Sequence, residues 1–214
     1  MDKNLHDYRK SYEKGSLTED TVLENPVEQF AAWFVDAAKT PTVEEPSEMK
    51  LSPVDTQGVP KARVVLLKEF TQEGFVFYTN YTSGKAQAIA QNNKVCISFF
   101  WPSLERQIII TGMAVKISEE KSIAYFNKRP RESQLGALVS DQSTSIDSRE
   151  ALEEKLLDLE KQYQTKTIIK PAHWGGYLIQ PTSYEFWQGR SSRLHDRIKY
   201  TKINNSWNIG RLQP

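Results

Sequence analysis

A chain of 214 residues is long enough for one sizeable hydrophobic core, and an apolar fraction of 38% with five Trp, nine Tyr and nine Phe excludes an intrinsically disordered protein. Lys plus Arg total 28 against 27 for Asp plus Glu, a net charge of +1, so any anion site must be local. The one cysteine, Cys96 in "VCISFF", excludes an intrachain disulfide and a four-cysteine zinc site, and reads as a buried thiol.

Residues 1–24 are polar and charged, without a signal-peptide core, and read as a flexible arm, free or laid on the body. In "NPVEQFAAWFVDAAK", Asn25 is placed to cap a helix, Pro26 fits its first position, and Val27, Phe30, Ala31, Phe34 and Ala38 fall on one face. A Pro-rich acidic loop follows; 50–54 is weakly strand-like, with Pro53 requiring an edge or a bulge, and 55–58 reads as a hairpin turn. The β-branched and aromatic runs 61–70 and 74–80 predict two strands. Ser83 is the expected cap of a short helix over 83–92, and strands over 94–100 and 106–117 flank "WPSLE". Ser118 caps another helix that Pro130 closes, and "RESQLGALVSDQSTS" is short helix and loop. Asp147 with Glu150 reads as a capping box for 148–163, where Leu152, Leu156 and Leu159 form one stripe. Strands over 177–180, 184–189, 193–200 and 206–212 complete the chain.

Strands joined by hairpin-length turns exclude a doubly wound parallel sheet, which needs crossover helices. The pattern predicts a mainly β protein with peripheral helices, an antiparallel barrel in one domain over 25–214. The run "RQIIITGMAV" is apolar on both faces and asks for a second cover such as a dimer interface. No unbroken apolar stretch of about 18 residues occurs, so the expectation is a soluble cytoplasmic protein with no membrane partner.

Four clusters can carry chemistry. In a regular strand over "RLHDRIKY", Arg193, His195 and Arg197 share one face at intervals of about 6–7 Å, suited to an anionic or electron-rich ligand or to a salt-bridged surface. Trp187, in the neighbouring "EFWQG", reads as a stacking wall or a core aromatic. Arg63 and Lys68 bracket an apolar run and are five apart, so only a bulge or a strand end brings both to one pocket. In "YTNYTSGK", Tyr78, Thr79, Ser83 and Lys85 place hydroxyls and an ammonium group at a helix start, the requirements of a phosphate monoester or simply of a capped loop. In "YFNKRPRES", Tyr125 and Arg129 are four apart on a helical face with Ser133 beyond the breaker, a second phosphate grip or compensation of the helix dipole. Together with Gln107, Gln142 and Ser143, these clusters suit two phosphorylated ligands, a cofactor and a substrate. His6, His173 and His195 lack metal-ligand spacing, so no metal site is expected, and neither a nucleophile elbow nor a dinucleotide glycine fingerprint is present.

The segments "RVVLLK", "FYTN…SGKA", "LERQ", "YFNKRPRESQLGA", "SDQSTS", "HWGGY", "EFWQGRSSRLHDR" and the terminal "RLQP" together closely resemble the pyridoxamine (pyridoxine) 5′-phosphate oxidase family, from about Tyr8 to Pro214. The resemblance implies an FMN-binding split barrel and a homodimer with FMN sites at the subunit interface. Its implied reaction is oxidation of pyridoxamine 5′-phosphate or pyridoxine 5′-phosphate to pyridoxal 5′-phosphate, hydride passing from substrate C4′ to flavin N5 and electrons ending on O2 as H2O2. By position it implies FMN contacts at Arg63, Val64, Val65, Leu66, Leu67, Lys68, Tyr78, Thr79, Ser83, Lys85, Gln107, Gln142, Ser143, Trp187 and Arg197. Lys68, Tyr125, Arg129 and Ser133 then grip the substrate phosphate, Arg193 and His195 hold its ring as the catalytic pair, and Arg9 and Tyr12 belong to an arm able to fold over as a lid. One position departs from the family pattern: Gly84 stands where an arginine is common before the lysine of the phosphate loop, which implies a looser cofactor. Two other classes remain as alternatives: a flavin-binding split barrel with another substrate or no oxidase activity, and a barrel that reads single-stranded nucleic acid. The small net charge weighs against the second.

Overall fold

The computed structural model describes Asn4, His6, residues 10–204 and residues 206–214. Its elements in chain order are α1 (Pro26–Lys39), β1 (Glu48–Pro53), β2 (Arg63–Leu66), β3 (Glu69–Thr71), β4 (Gly74–Asn80), α2 (Gly84–Gln91), β5 (Lys94–Trp101) and β6 (Arg106–Lys116). There follow α3 (Glu119–Lys128), α4 (Arg131–Val139), α5 (Arg149–Tyr163), β7 (Trp174–Gln188), β8 (Asp196–Ile203) and β9 (Ser206–Arg211). The strands hydrogen-bond in the order β2-β1-β5-β6-β7-β4-β3, with β8 on β7 and β9 on β8. Every pairing whose register is described is antiparallel, as the hairpin-length turns predict. The contacts divide the chain into two compact units, one of residues 1–50, 96–112 and 181–214 and the other of residues 51–95 and 113–180.

In the first unit α1 is capped by Asn25, whose side chain accepts the Val27 N–H at 2.9 Å, a contact that contributes about 1 kcal/mol. The buried face of α1 is Val27, Phe30, Trp33 and Ala37, not the face through Ala31 and Ala38. The difference lies in Trp33, whose indole stands edge-on to Phe186 of β7 at 5.3 Å and turns the helix toward itself. On the β7–β8 pair, Tyr184, Phe186, Ile198 and Tyr200 are buried; in that register Trp187 faces Arg197, and Glu185 faces Lys199, across the other side. The arm is laid on this unit: Leu17 is buried, and its N–H donates to Asp196 at 3.0 Å.

In the second unit β4 is buried at every residue except half-buried Tyr78, and pairs Phe75–Asn80 with Trp174–Ile179 of β7. A separate cluster of Phe126, Leu135, Ile168 and Trp174 joins α3 and α4 to the chain before β7. The apolar stripe of α5, Leu156 and Leu159 among it, packs against that cluster. Ser118 caps α3 and Ser83 caps α2, as expected.

Several boundaries depart from the sequence pattern. The run 61–70 is two strands, because the chain breaks between Leu66 and Glu69. The runs 177–180 and 184–189 are one continuous strand, since Pro181 is accommodated within the ladder. The cap of α5 is Ser148, whose hydroxyl accepts the Ala151 N–H, rather than Asp147. Pro53 is the last residue of β1, which lies between β2 and β5 and so is not an edge strand. Cys96 is half-buried. In β6 the chain itself covers one face, Ile108, Ile110 and Ala114, and leaves Met113 40% exposed on the other.

Arg211 of β9 binds the arm through both Glu19 carboxylate oxygens, at 2.9 and 2.8 Å, and through the Leu17 carbonyl at 3.0 Å. Its remaining Nη1 donates to Asp196 at 2.8 Å. The hydrogen bonds from Arg211 bring Glu19 down from 4.5 to about 2. A depressed carboxylate contributes stability that is complete above its unfolded value and is lost as pH falls through its folded one. Thermal unfolding as a function of pH is therefore expected to show stability falling between 4.5 and about 2. Arg211→Met is expected to flatten that limb while leaving the remaining acid dependence in place.

Candidate active site

A cavity of about 330 Å³ opens in the unit of residues 51–95 and 113–180. Val64, Val65 and Leu66 of β2 line one side of it. Beyond them the strand breaks: Leu67 turns into the core, 5% exposed, and the Lys68 N–H donates to Val76 of β4 at 2.8 Å. That break delivers Lys68 to the cavity wall, but it does not bring Arg63 and Lys68 to one pocket. Arg63 begins β2 on the surface, its Nη1 donating to the Ala62 carbonyl at 2.8 Å. It does not line the cavity, although its charge reaches Lys85.

Lys85, in the first turn of α2, donates to Gln142 Oε1 at 2.6 Å and to the hydroxyls of Thr79 and Ser83 at 3.3 Å each. Thr79 also donates to Gln142 at 3.2 Å, and Asn80 Nδ2 donates to the Ser140 carbonyl at 3.3 Å, so the loop after α4 is sewn to the end of β4. Ser83 itself is fully buried as the helix cap. Ser143, with φ at 75°, stands beside the helix start, its Oγ 3.8 Å from where a Cβ on Gly84 would be. A Cβ there would make ordinary van der Waals contact with Ser143, without a clash. Burial lowers the Lys85 pKa, and Arg63 lowers it further.

The opposite wall is aromatic. Tyr78 stacks on Tyr125 with ring centres 3.9 Å apart and on Trp174 at 5.3 Å. This requires the backbone of β7 to be bare: a Cβ on Gly176 would lie 2.6 Å from Ile117 Cδ1 and 2.9 Å from the Tyr78 ring, and one on Gly175 would collide with Tyr81. Arg129, which ends α3, lies over the Trp174 ring at 4.7 Å. Its Nη1 is buried without a hydrogen-bond partner. Burial lowers the Arg129 pKa and raises that of Tyr125, while Tyr78 is pushed up to about 12. Among the described residues no carboxylate pairs with Lys68, Lys85 or Arg129. Three cations in one cavity with no internal counter-charge, and a buried guanidinium N–H left open, constitute a site for anions. Ser133 is half-buried on α4 and does not line this cavity. Trp174 was not singled out from sequence, although "HWGG" marks the place where bare backbone lets rings approach.

A second cavity, of about 530 Å³, lies within the other unit and is lined by Tyr12, Trp187, Arg193 and His195 together with Lys10 and Arg190. Trp187 and His195 are 4.7 Å apart, and Tyr12 stands edge-on to both, at 5.8 and 5.6 Å. The strand periodicity expected over 193–200 fails at its start. Ser191–Arg193 is a 3-10 turn, Ser192 and Arg193 have φ of 56° and 62°, and β8 begins only at Asp196. Arg193 and His195 therefore meet through a tight turn, and Arg197, in β8 proper, is held by Glu185 at 2.7 Å and the Gln213 carbonyl at 2.8 Å instead. His195 Nδ1 accepts the Arg190 N–H at 3.1 Å, so a neutral ring carries its proton on Nε2. Arg190 and Asp196 form an ion pair at 2.9 Å. Gln107 is half-buried on β6 and lines neither cavity, and Arg9 lies outside the described residues.

Known proteins match this chain in sequence and fold. The family described as pyridoxamine 5′-phosphate oxidase matches residues 35–163, and the pyridoxine 5′-phosphate oxidase C-terminal dimerisation region matches residues 174–214. A pyridoxine/pyridoxamine 5′-phosphate oxidase of Christiangramia forsetii is 54% identical over 214 residues, covering 100% of both chains. One from Nostoc sp. is 47% identical over 215 residues, again covering 100% of each. Among solved structures, PhzG from Burkholderia lata in complex with tetrahydrophenazine-1-carboxylic acid superposes with a TM-score of 0.86 at 26% identity, covering 92% of this chain and 98% of that one. A pyridoxamine 5′-phosphate oxidase-related FMN-binding protein from Nostoc punctiforme shares the fold, with a TM-score of 0.70 at 17% identity, covering 88% and 97%. With over half of its length matched by the family and full-length relatives near half identical, the chain belongs to the pyridoxamine 5′-phosphate oxidase family.

Proposed function

We propose that this chain is an FMN-dependent oxidase that converts pyridoxamine 5′-phosphate and pyridoxine 5′-phosphate to pyridoxal 5′-phosphate. The observation that carries the reading is the convergence of Lys68, Lys85 and Arg129 on one cavity with a buried Arg129 Nη1 unsatisfied. A cofactor phosphate and a substrate phosphate are the anions that complete it.

The donor set fits FMN. Lys85 and Ser83 at the start of α2, with Thr79 of β4 and Gln142 of the loop after α4, would hold its phosphate, with Ser143 beside them and Val64–Leu66 along its length. When bound, FMN supplies a two-electron acceptor. The remaining work falls to the chain. Lys68, Tyr125 and Arg129 anchor the substrate phosphate against the aromatic wall, which turns a bimolecular encounter into a fixed orientation. Arg193 and His195 hold the substrate ring, the imidazole Nε2–H being the donor that its Nδ1 contact leaves available. The amine substrate yields aldehyde and ammonia with water, the alcohol yields aldehyde, and O2 takes the electrons as H2O2. The protein acts as a homodimer with its FMN sites at the subunit interface. The exposed Met113 face of β6 and the matched C-terminal dimerisation region support that assembly. PhzG, with its tetrahydrophenazine ligand, is the measure of the alternative substrate class, and a cavity built for phosphate favours the vitamer phosphates.

Purified protein is expected to be yellow with bound flavin and to release peroxide, one per pyridoxal 5′-phosphate formed, when given pyridoxamine 5′-phosphate; colourless protein that neither binds added FMN nor turns over ends the reading. Steady-state kinetics of Arg129→Met should show KM for the phosphorylated substrate raised by about tenfold to a hundredfold, the loss of charge-assisted bonds worth about 1.5–3 kcal/mol. Arg193→Met should lose both turnover and substrate binding while flavin absorbance per chain stays at the parent level. Loss of flavin with substrate affinity intact would reassign Arg193 to the cofactor.

A further inference from the structure

Glu105 is a buried acid with no part in the reaction just described. It ends the turn before β6 with φ at 56°, and its side chain is 2% exposed. A non-glycine residue in that left-handed region costs about 1–2 kcal/mol. Desolvating its carboxylate costs several kcal/mol more unless the charge is paired. The polar partners of that carboxylate come from the N-terminal arm. Oε2 accepts the N–H groups of Glu13 at 2.7 Å and Lys14 at 3.0 Å, and Oε1 pairs with Lys10 Nζ at 3.2 Å. Burial pushes the carboxyl up, and those donors more than offset it, leaving its pKa below the usual 4.5. The Glu105 carbonyl also accepts the Gly189 N–H at 2.7 Å, two residues beyond Trp187. A Cβ on Gly189 would stand 2.9 Å from Tyr12 Cβ and 3.0 Å from Glu105 Cβ, so arm, acid and strand end meet without space for a side chain.

We infer that Glu105 is the latch of the arm: a positioning residue whose carboxylate holds residues 10–14 in place, so that Tyr12 walls the Arg193–His195 cavity around the ring of the B6 phosphate. The inference rests on the oxidase reading of that cavity. Tyr12 lies in sequence between the latched Lys10 and Glu13, and its ring is edge-on to both Trp187 and His195. The three attachments share one acceptor, so a change at Glu105 loosens the whole segment at once. Among the described residues, the Lys14 Nζ bond to the Ser103 carbonyl, at 2.6 Å, ties residues 10–14 to the turn independently of that carboxylate. A lifted arm returns the carboxylate to water, which offsets the bonds lost and lets the latch open for exchange.

Glu105→Gln, in the FMN-loaded enzyme with pyridoxamine 5′-phosphate, keeps the shape of the side chain and removes its charge. KM is expected to rise about tenfold, equivalent to about 1.4 kcal/mol. The turnover number and flavin content should stay within about twofold of the parent. Trypsin should cleave after Lys10 and Lys14 faster than in the parent, even with product bound. Unchanged KM with unchanged cleavage overturns the latch, as does a lower melting temperature or flavin content with KM unchanged, which would make Glu105 part of the framework only. Should the variant fail to fold, hydrogen exchange in the parent holoenzyme decides: the amides of Glu13 and Lys14 exchange slowly and slow further with pyridoxal 5′-phosphate bound. Exchange at the rate of a free peptide in that complex overturns the latch. A parent with slow amides but no oxidase turnover would sink the oxidase reading and leave the latch standing, so the two failures are separable.

Discussion

The backbone of β7 at Gly175 and Gly176 lies directly against the rings of Tyr81 and Tyr78, an approach that any side chain would forbid. From that contact the anion cavity is assembled. Tyr78 lies flat enough to stack on Trp174 and Tyr125, and Trp174 then offers its face to the Arg129 guanidinium. A guanidinium held by a π-face keeps its N–H edges free, because the ring attracts the charge without consuming donors. The buried, unpartnered Nη1 is the direct consequence, and an anion is what satisfies it.

Among the described residues, charge is arranged by leaving some cations without a carboxylate and giving others one or more. Arg211, Arg190 and Arg197 are engaged by Glu19, Asp196 and Glu185, and they fasten the arm and the C-terminal strands. Among the described residues Lys68, Lys85 and Arg129 pair with no carboxylate, and they line the cavity. A net charge of +1 conceals this division entirely. The eight residues "RSSRLHDR" contain both kinds: Arg190 and Asp196 neutralise each other, whereas Arg193 and His195 face the second cavity. Two successive left-handed residues, Ser192 and Arg193, lift that pair off the strand path. Strain of this kind persists only where the surroundings impose it, and here it falls beside a ligand-sized cavity.

Much was legible in the sequence because it depends on neighbours in the chain. Side-chain caps at Asn25, Ser83 and Ser118, the strand β4 and the antiparallel class all follow from local hydrogen bonding and side-chain shape. The motifs "RPRESQLGA" and "EFWQG…RLHDR" identify the family because they are long and specific, and full-length relatives agree. Two of the errors share one cause: where a side chain's position depends on a distant partner, periodicity misleads. Trp33 turns α1 toward Phe186, and Arg197 is drawn to Glu185 and the backbone carbonyl of Gln213.

By itself the sequence determined which residue types were present for two phosphate grips, where most helices begin, and to which family the chain belongs. Those properties are set by composition, by local backbone chemistry and by motif. Only the tertiary structure decided that Lys68 reaches the cavity through a broken strand, that Gln142 closes over Lys85 from nearly sixty residues away, and that Trp174 rather than Ser133 lines the Arg129 site. It alone revealed Glu105 as the anchor of the arm, about ninety positions from its partners. Such contacts arise from close packing between segments remote in sequence, and no local pattern encodes them.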